Sequence, residues 1–484
     1  MRRKRPIIDP RMLVTIPLLI ALFVSAFAFG GTTSKSLLAT DILLALGLLG
    51  WAGVLVAERR LPKIPRLACA AIVVLAVLAI AHWLNPKYFF DEASWSLLPV
   101  SSAISGIPGS VDMATSLPAI RHGLLLLGTL ALLMEVISDR RARWSLLSGL
   151  GTVGFLIALV GLSQKAGGAD SMLWVGPEES GASFFAAFRY HANAAAFLNL
   201  CWPAAFAMWL RSCHRVESGF FRSYWLVAFA FTFLGVLANS SKAGHLVGLA
   251  LAALAVVRFR KIIFWEGRNW KAASLGVGGV AFVLLLAILP GLFANWLNWS
   301  DALDHGESAK GRLEAYTGCL TMLGESGIWG FGPGTFHLVF PFYTGGLDED
   351  FSGFWDHAHQ DFLQTLIEWG WAGFAAFLIL VLGGFVRGFR ATRSAMRSER
   401  LEFSQSCSLI ALGGVFLHAF VDFPLQIPAI QIPVLILLAI AWSGKKSQAV
   451  HHLREGTKKA REVASLEPEK LELVESEQLD LEGV

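Results

Sequence analysis

Apolar runs of about 18 residues or more recur along this chain, and each is long enough to cross ~30 Å of hydrocarbon. They lie near residues 12–29, 36–56, 67–84, 119–137, 144–162, 192–210, 224–239, 242–257, 272–293, 366–386, 404–421 and 426–442. A transmembrane barrel would show alternating segments of about 10 residues instead. The balance of 55% hydrophobic and 16% charged residues over 484 positions is one that no soluble domain of this size carries. The fold class expected is all-α: a polytopic integral membrane protein with about 12 transmembrane helices. Its first run is too long for a cleaved signal and no convincing small-residue cleavage site follows it.

Lys and Arg set the orientation. They crowd the N-terminus (Arg2 to Arg11) and alternate loops at 59–66, 140–143, 211–222, 258–271 and 387–400. The opposite loops carry only Lys35, Lys87, Arg121, Lys165, Arg189, Lys242, Lys310 and Arg312. This asymmetry predicts an even number of spans with both termini in the cytoplasm, and a large extracytoplasmic loop between helices 9 and 10. The five cysteines are scattered and form no CxxC, which speaks against a disulfide framework or thiolate metal site. A net charge of +4 reports cytoplasmic anchoring, not a nucleic-acid surface.

Three segments are expected. Residues 1–180 read as transmembrane scaffold, its first three helices lipid-facing with small residues for packing. Its outer loop 85–118 either covers a site or does nothing. Residues 181–443 carry the chemistry, including the outer loop around 294–360. Residues 444–484 form a tail, basic and then acidic, read as a solvated helix or disordered segment on the cytoplasmic side.

Polar chemistry gathers on one face. Arg189, His191 and Asn193 sit at the outer mouth of helix six, where a basic residue either snorkels to headgroups or has a function. Lys242 opens helix eight after NSS; a cation there opposes the helix dipole, yet helix-start amides with a lysine suit an anion. GRLEAYTGCLTML puts Arg312, Tyr316, Cys319 and Leu323 on one helical face. The glycine-rich GIWGFGPGTF lacks the ending of a nucleotide loop and reads as a sharp re-entrant turn. Then comes DHAHQDFLQTLIEWGWAG, residues 356–373, the densest cluster. A zinc site there would need third and fourth ligands, for which Asp356, Asp361 and His337 are nearby. A general base needs one imidazole, oriented by a neighbour such as Asp361. A structural interfacial histidine is the third reading. Finally, His418 and Asp422 lie in HAFVDFPLQIPAI, an ionisable pair that is costly at this depth without partners or a function; Asp422 is suited equally to holding an outer-face cation and to orienting a histidine.

Arg189, Lys242, Arg312, His357, His359 and Asp422 therefore share one face. Three cations beside a histidine suit a phosphate-bearing substrate and a hydroxyl to be activated. At this point the motifs carry a resemblance. SKAG opening a helix, GR, GxGPGTF, HxHQDFLQxLxEWGxxG and DFPLQIP resemble the O-antigen ligase / O-antigen polymerase superfamily over roughly residues 180–440. The resemblance implies a bacterial inner-membrane glycosyltransferase with its site on the periplasmic face. It implies a glycan donor on undecaprenyl diphosphate, no metal and no other cofactor. The acceptor hydroxyl would lie on lipid A–core, another glycan or a protein. It puts His359 at the position of the base, with Arg312 and Arg189 where the family holds the donor diphosphate. Ser241–Lys242 stands where the family has serine–arginine, which keeps the charge and loses the two-pronged guanidinium. Gln360 replaces the usual asparagine. His357, Asp361 and Asp422 are expected as supporting residues.

The readings kept beside a ligase are a polymerase or protein O-oligosaccharyltransferase of the same superfamily, a polysaccharide transporter or flippase, and a structural assembly factor. A transporter would place charged residues near helix centres along a path. Here the helix centres are nearly free of Asp, Glu, Lys and Arg.

Overall fold

The computed structural model describes residues 10–175, 183–214, 218–264, 307–345, 347, 355–395 and 399–443. The apolar runs fold as helices: α1 (Pro10–Phe27), α2 (Ser34–Ala57), α3 (Arg66–Leu84), α4 (Met113–Val136), α5 (Arg140–Ala166), α6 (His191–His214), α7 (Gly219–Ala238) and α8 (Lys242–Phe264). After them come α9 (Glu307–Ser326), the short α10 (Phe336–Val339), α11 (Asp361–Ala395), α12 (Glu399–His418) and α13 (Pro428–Trp442). Every run expected from the sequence falls on one of these except 272–293, which lies outside the described residues. So do the N-terminal basic cluster up to Asp9, residues 294–306, 346 and 348–354 of the 294–356 loop, and the 444–484 tail. Among the described residues, 8 helices are long and apolar enough to cross a membrane. Val14–Phe27, Phe403–His418 and Pro428–Trp442 are shorter apolar helices.

Helix boundaries follow local chemistry. Asp112 caps α4 by accepting from Thr115 N at 2.7 Å, and Asp139 caps α5 by accepting from Ala142 N at 3.0 Å. Both caps lengthen the helices beyond their apolar stretches. At the centre runs α6, buried along nearly its whole length and packed by α5, α7, α8, α12 and α13. Its Ala-rich sequence permits this, because small side chains let backbones approach closely. A Cβ at Gly154 of α5 would collide with Cys201 of α6, so that helix pair touches backbone to side chain.

Two loops shape the end of the bundle that carries the polar residues. The first, between α3 and α4, forms an antiparallel hairpin of β1 (Tyr88–Asp91) and β2 (Ser96–Pro99). It packs on the glycine-rich run: Val111 N donates to Phe331 O at 2.8 Å, and Trp329 Nε1 donates to Gly106 O at 3.0 Å. Loop 85–118 thus packs on residues 329–332. The second is the glycine-rich run itself, which wraps a kink in α11 at Gly370, where φ is 63° and ψ is −176°. The kink frees the carbonyls of Ile367 and Glu368, which accept from Phe331 N at 3.0 Å and Gly332 N at 2.9 Å.

Candidate active site

His359 ends the turn before α11 in the left-handed region, with φ of +49°, a conformation that non-glycine residues seldom adopt. Its neighbours hold it there. Tyr316 Oη, from α9, donates to His359 O at 3.0 Å. Gln360 Oε1 accepts from Leu363 N and so caps α11. The imidazole, a quarter exposed, meets Trp355, Phe423 and Tyr190 edge-on, with ring centroids 5.2, 4.8 and 6.3 Å away. Its Nδ1 lies 3.4 Å from Asp422 Oδ1.

A line of polar groups continues from that carboxylate. Tyr190 Oη donates to Asp422 Oδ2 at 3.1 Å, and Arg312 Nη2 donates to Tyr190 Oη at 3.1 Å. Arg312 Nη1 donates to Val421 O at 3.1 Å, one residue before Asp422. Burial would raise the Asp422 carboxyl, but the facing His359 and the charges of His418 and Arg312 outweigh it and hold Asp422 below the usual carboxylate range. Burial first, then the Asp422 charge, push the Tyr190 phenol above its ordinary value, so it stays a neutral donor. The site therefore offers a fixed cation, a neutral phenol, an ionised carboxylate and an imidazole in sequence.

His357 lies on the other side of Phe423, stacked on that ring at a centroid distance of 4.4 Å. Burial lowers its imidazole to about 4, against the pull of Asp356. Gln364 contacts it at 3.4 Å, accepts from Ala358 N at 3.2 Å and donates to Glu368 Oε1 at 3.1 Å. Glu368, buried one turn further along α11, accepts from Gly334 N at 2.9 Å. The histidine block and the GPGTF run are thus one hydrogen-bonded unit. Beneath them opens a cavity of about 590 Å³. Its head is polar (His122, His337, His357, Glu368, Gln431), and its body runs between apolar residues of α4, α11 and α13 such as Leu127, Leu380 and Leu435.

The other expected residues fall in different places. Asp361, completely buried, spends its carboxylate on the turn after α12, accepting from Leu425 N at 2.8 Å and Gln426 Nε2 at 3.0 Å. The carboxylate facing His359 is that of Asp422. Arg189 is exposed, one residue before Tyr190 in the turn leading into α6. Lys242 is half-buried at the first residue of α8, whose start is fixed by Ser241 Oγ accepting from Gly244 N at 3.0 Å. That start is tied to α6 through Asn239, which accepts from Ser241 N at 2.8 Å and donates to His191 O at 3.0 Å. Sequence reasoning passed over Tyr190, Phe423, Trp355, Gln364 and Glu368. Gln364 and Glu368 stand at written positions of HxHQDFLQxLxEWGxxG, and Phe423 in DFPLQIP, which was the available signal. Among the described residues, no three His, Cys, Asp or Glu side chains are grouped to hold a metal ion.

Residues 227–378 match the family described as O-antigen ligase. The match takes in Lys242, Arg312, His357, His359 and Glu368, and leaves Arg189, Tyr190 and Asp422 outside. No curated protein matches the chain.

Proposed function

We propose, for a chain that carries an O-antigen ligase family domain over residues 227–378, that it moves a glycan from undecaprenyl diphosphate to an acceptor hydroxyl at the periplasmic face of the inner membrane. The observation that carries this reading is the line Arg312–Tyr190–Asp422–His359 at one end of an apolar helical bundle.

The roles follow from the chemistry of the line. His359 accepts the proton of the acceptor hydroxyl, and Asp422, facing Nδ1, stabilises the imidazolium that results. The hydroxyl oxygen forms its bond to the anomeric carbon as the bond from that carbon to the diphosphate oxygen breaks. The electron pair leaves with undecaprenyl diphosphate. Arg312, with Arg189 and Lys242, stabilises that charge. The cavity supports a lipid-borne substrate, because it joins a polar head near His357 to an apolar channel among membrane-spanning helices.

Transport is the reading from another class. Proteoliposomes given undecaprenyl-diphosphate-linked glycan, candidate acceptors and a chelator separate the two. The expected result is transfer to an acceptor, whose identity then distinguishes ligase, polymerase and protein glycosylation. Movement of the lipid-linked glycan across the bilayer without transfer would overturn the assignment.

A further inference from the structure

A second buried polar line reaches this site from helices that the sequence marks as scaffold. Asp41, within α2 and only 2% exposed, accepts from Arg121 Nε at 2.8 Å and from His122 Nδ1 at 2.5 Å, both on α4. His122 Nε2 lies 2.8 Å from Gln431 Oε1 on α13. Gln431 Nε2 donates to Leu425 O at 2.8 Å, which fixes the amide and leaves its oxygen to accept. Leu425 is consequently gripped twice, its N–H by Asp361 and its C=O by Gln431. The turn held in this way begins with Asp422 and Phe423, the two groups against His359.

We propose that Asp41, His122 and Gln431 are positioning residues for transfer: they fix the 422–427 turn and through it the placement of Asp422 against the His359 imidazole. Packing alone would not call for them, since α2, α4 and α13 have ample apolar surface for each other and an acid at this depth is retained at a cost. The line also ends on the backbone of the single turn that carries Asp422, not on a neighbouring helix. The N-terminal helices thereby become part of the catalytic apparatus. This inference rests on the reading of His359 as the base.

The test is a double-mutant cycle on the full chain in proteoliposomes, with undecaprenyl-diphosphate-linked glycan as donor. Gln431→Leu is expected to lower kcat about tenfold, the size of one lost hydrogen bond. In an Asp422→Asn background the same change is expected to cost nothing further, because the line acts through Asp422. An unchanged kcat in Gln431→Leu, or full additivity with Asp422→Asn, would overturn the proposal. Should Gln431→Leu not accumulate in the membrane, Gln431→Glu enters the same cycle; it keeps an acceptor for His122 and loses the donor to Leu425 O. His359→Ala, measured in parallel, separates the two levels. Transfer retained there removes the base itself, whereas transfer lost there but intact in the Gln431 variants removes only the line from Asp41.

Discussion

Tyr190 Oη donates to Asp422 while accepting from Arg312, both at 3.1 Å. One phenol thus couples the cation proposed to take the leaving diphosphate to the carboxylate that faces the proposed base. Tyr190→Phe keeps the ring stack on Phe423, whose planes lie 6° apart, and removes both hydrogen bonds. Transfer should fall about tenfold or more, since two partners lose a bond at once. The thermal midpoint should move little. Equal transfer by the variant would detach Tyr190 from the mechanism.

Asp422 stays ionised at every pH where an imidazole titrates, because it is held below the usual carboxylate range. Its own stabilising contribution is present above the ordinary carboxylate value and is lost only as pH falls through the still lower folded value. Any acid limb of activity between pH 5 and 8 therefore belongs to another group. Removing a neighbouring negative charge disfavours the imidazolium. Asp422→Asn should lower kcat by about 10- to 100-fold and move the acid limb of the rate profile to lower pH. A limb that stays in place would show that Asp422 does not act on the base.

His357 gives a stability prediction of the same sign in a higher pH window. Its folded value, near 4, lies below the unfolded 6.5, so protonation favours the unfolded chain. The contribution of neutral His357 is complete above pH 6.5 and drains away between 6.5 and 4, by about 3 kcal/mol in all. In detergent, His357→Gln should flatten this acid decline of the melting temperature relative to wild type. A parallel decline in both would assign it elsewhere.

Gly370 tests the unit that joins the histidine block to the GPGTF run. Its φ of +63° is strained for any other residue, and an added Cβ would sit against the carbonyl oxygen of Ile328. Gly370→Ala should destabilise the fold by several kcal/mol and lose the folded protein from the membrane. Gly345→Ala, with nothing within 4 Å of the added carbon, is the control and should be neutral.

The sequence revealed the scaffold more readily than the wiring. Hydrocarbon thickness imposes a length on any apolar run, so the described helices could be located, though not their ends: α11 runs on to Ala395, where the apolar run stops at 386. Arg312 was legible too, because basic residues are scarce in the loops opposite the basic ones. The partner of His359 was only half legible: Asp361 and Asp422 both stood as residues able to orient a histidine. Asp361 is nearest in sequence, but the left-handed turn at His359 starts α11 so that Asp361 meets Leu425 and Gln426 instead. Asp422 arrives from the far end of α12, a contact that no local spacing encodes. Asp41 and His122 were passed over for the same reason: each is a single polar residue in an apolar helix until Gln431 joins them.

The central claim concerns one imidazole, and the most direct measurement is the rate of glycan transfer by His359→Ala beside wild type in proteoliposomes. Equal membrane levels and equal thermal midpoints would be established first. The account predicts transfer lost by at least two to four orders of magnitude, the range a positioned general base supplies. Transfer at the wild-type rate by a folded His359→Ala protein would contradict it.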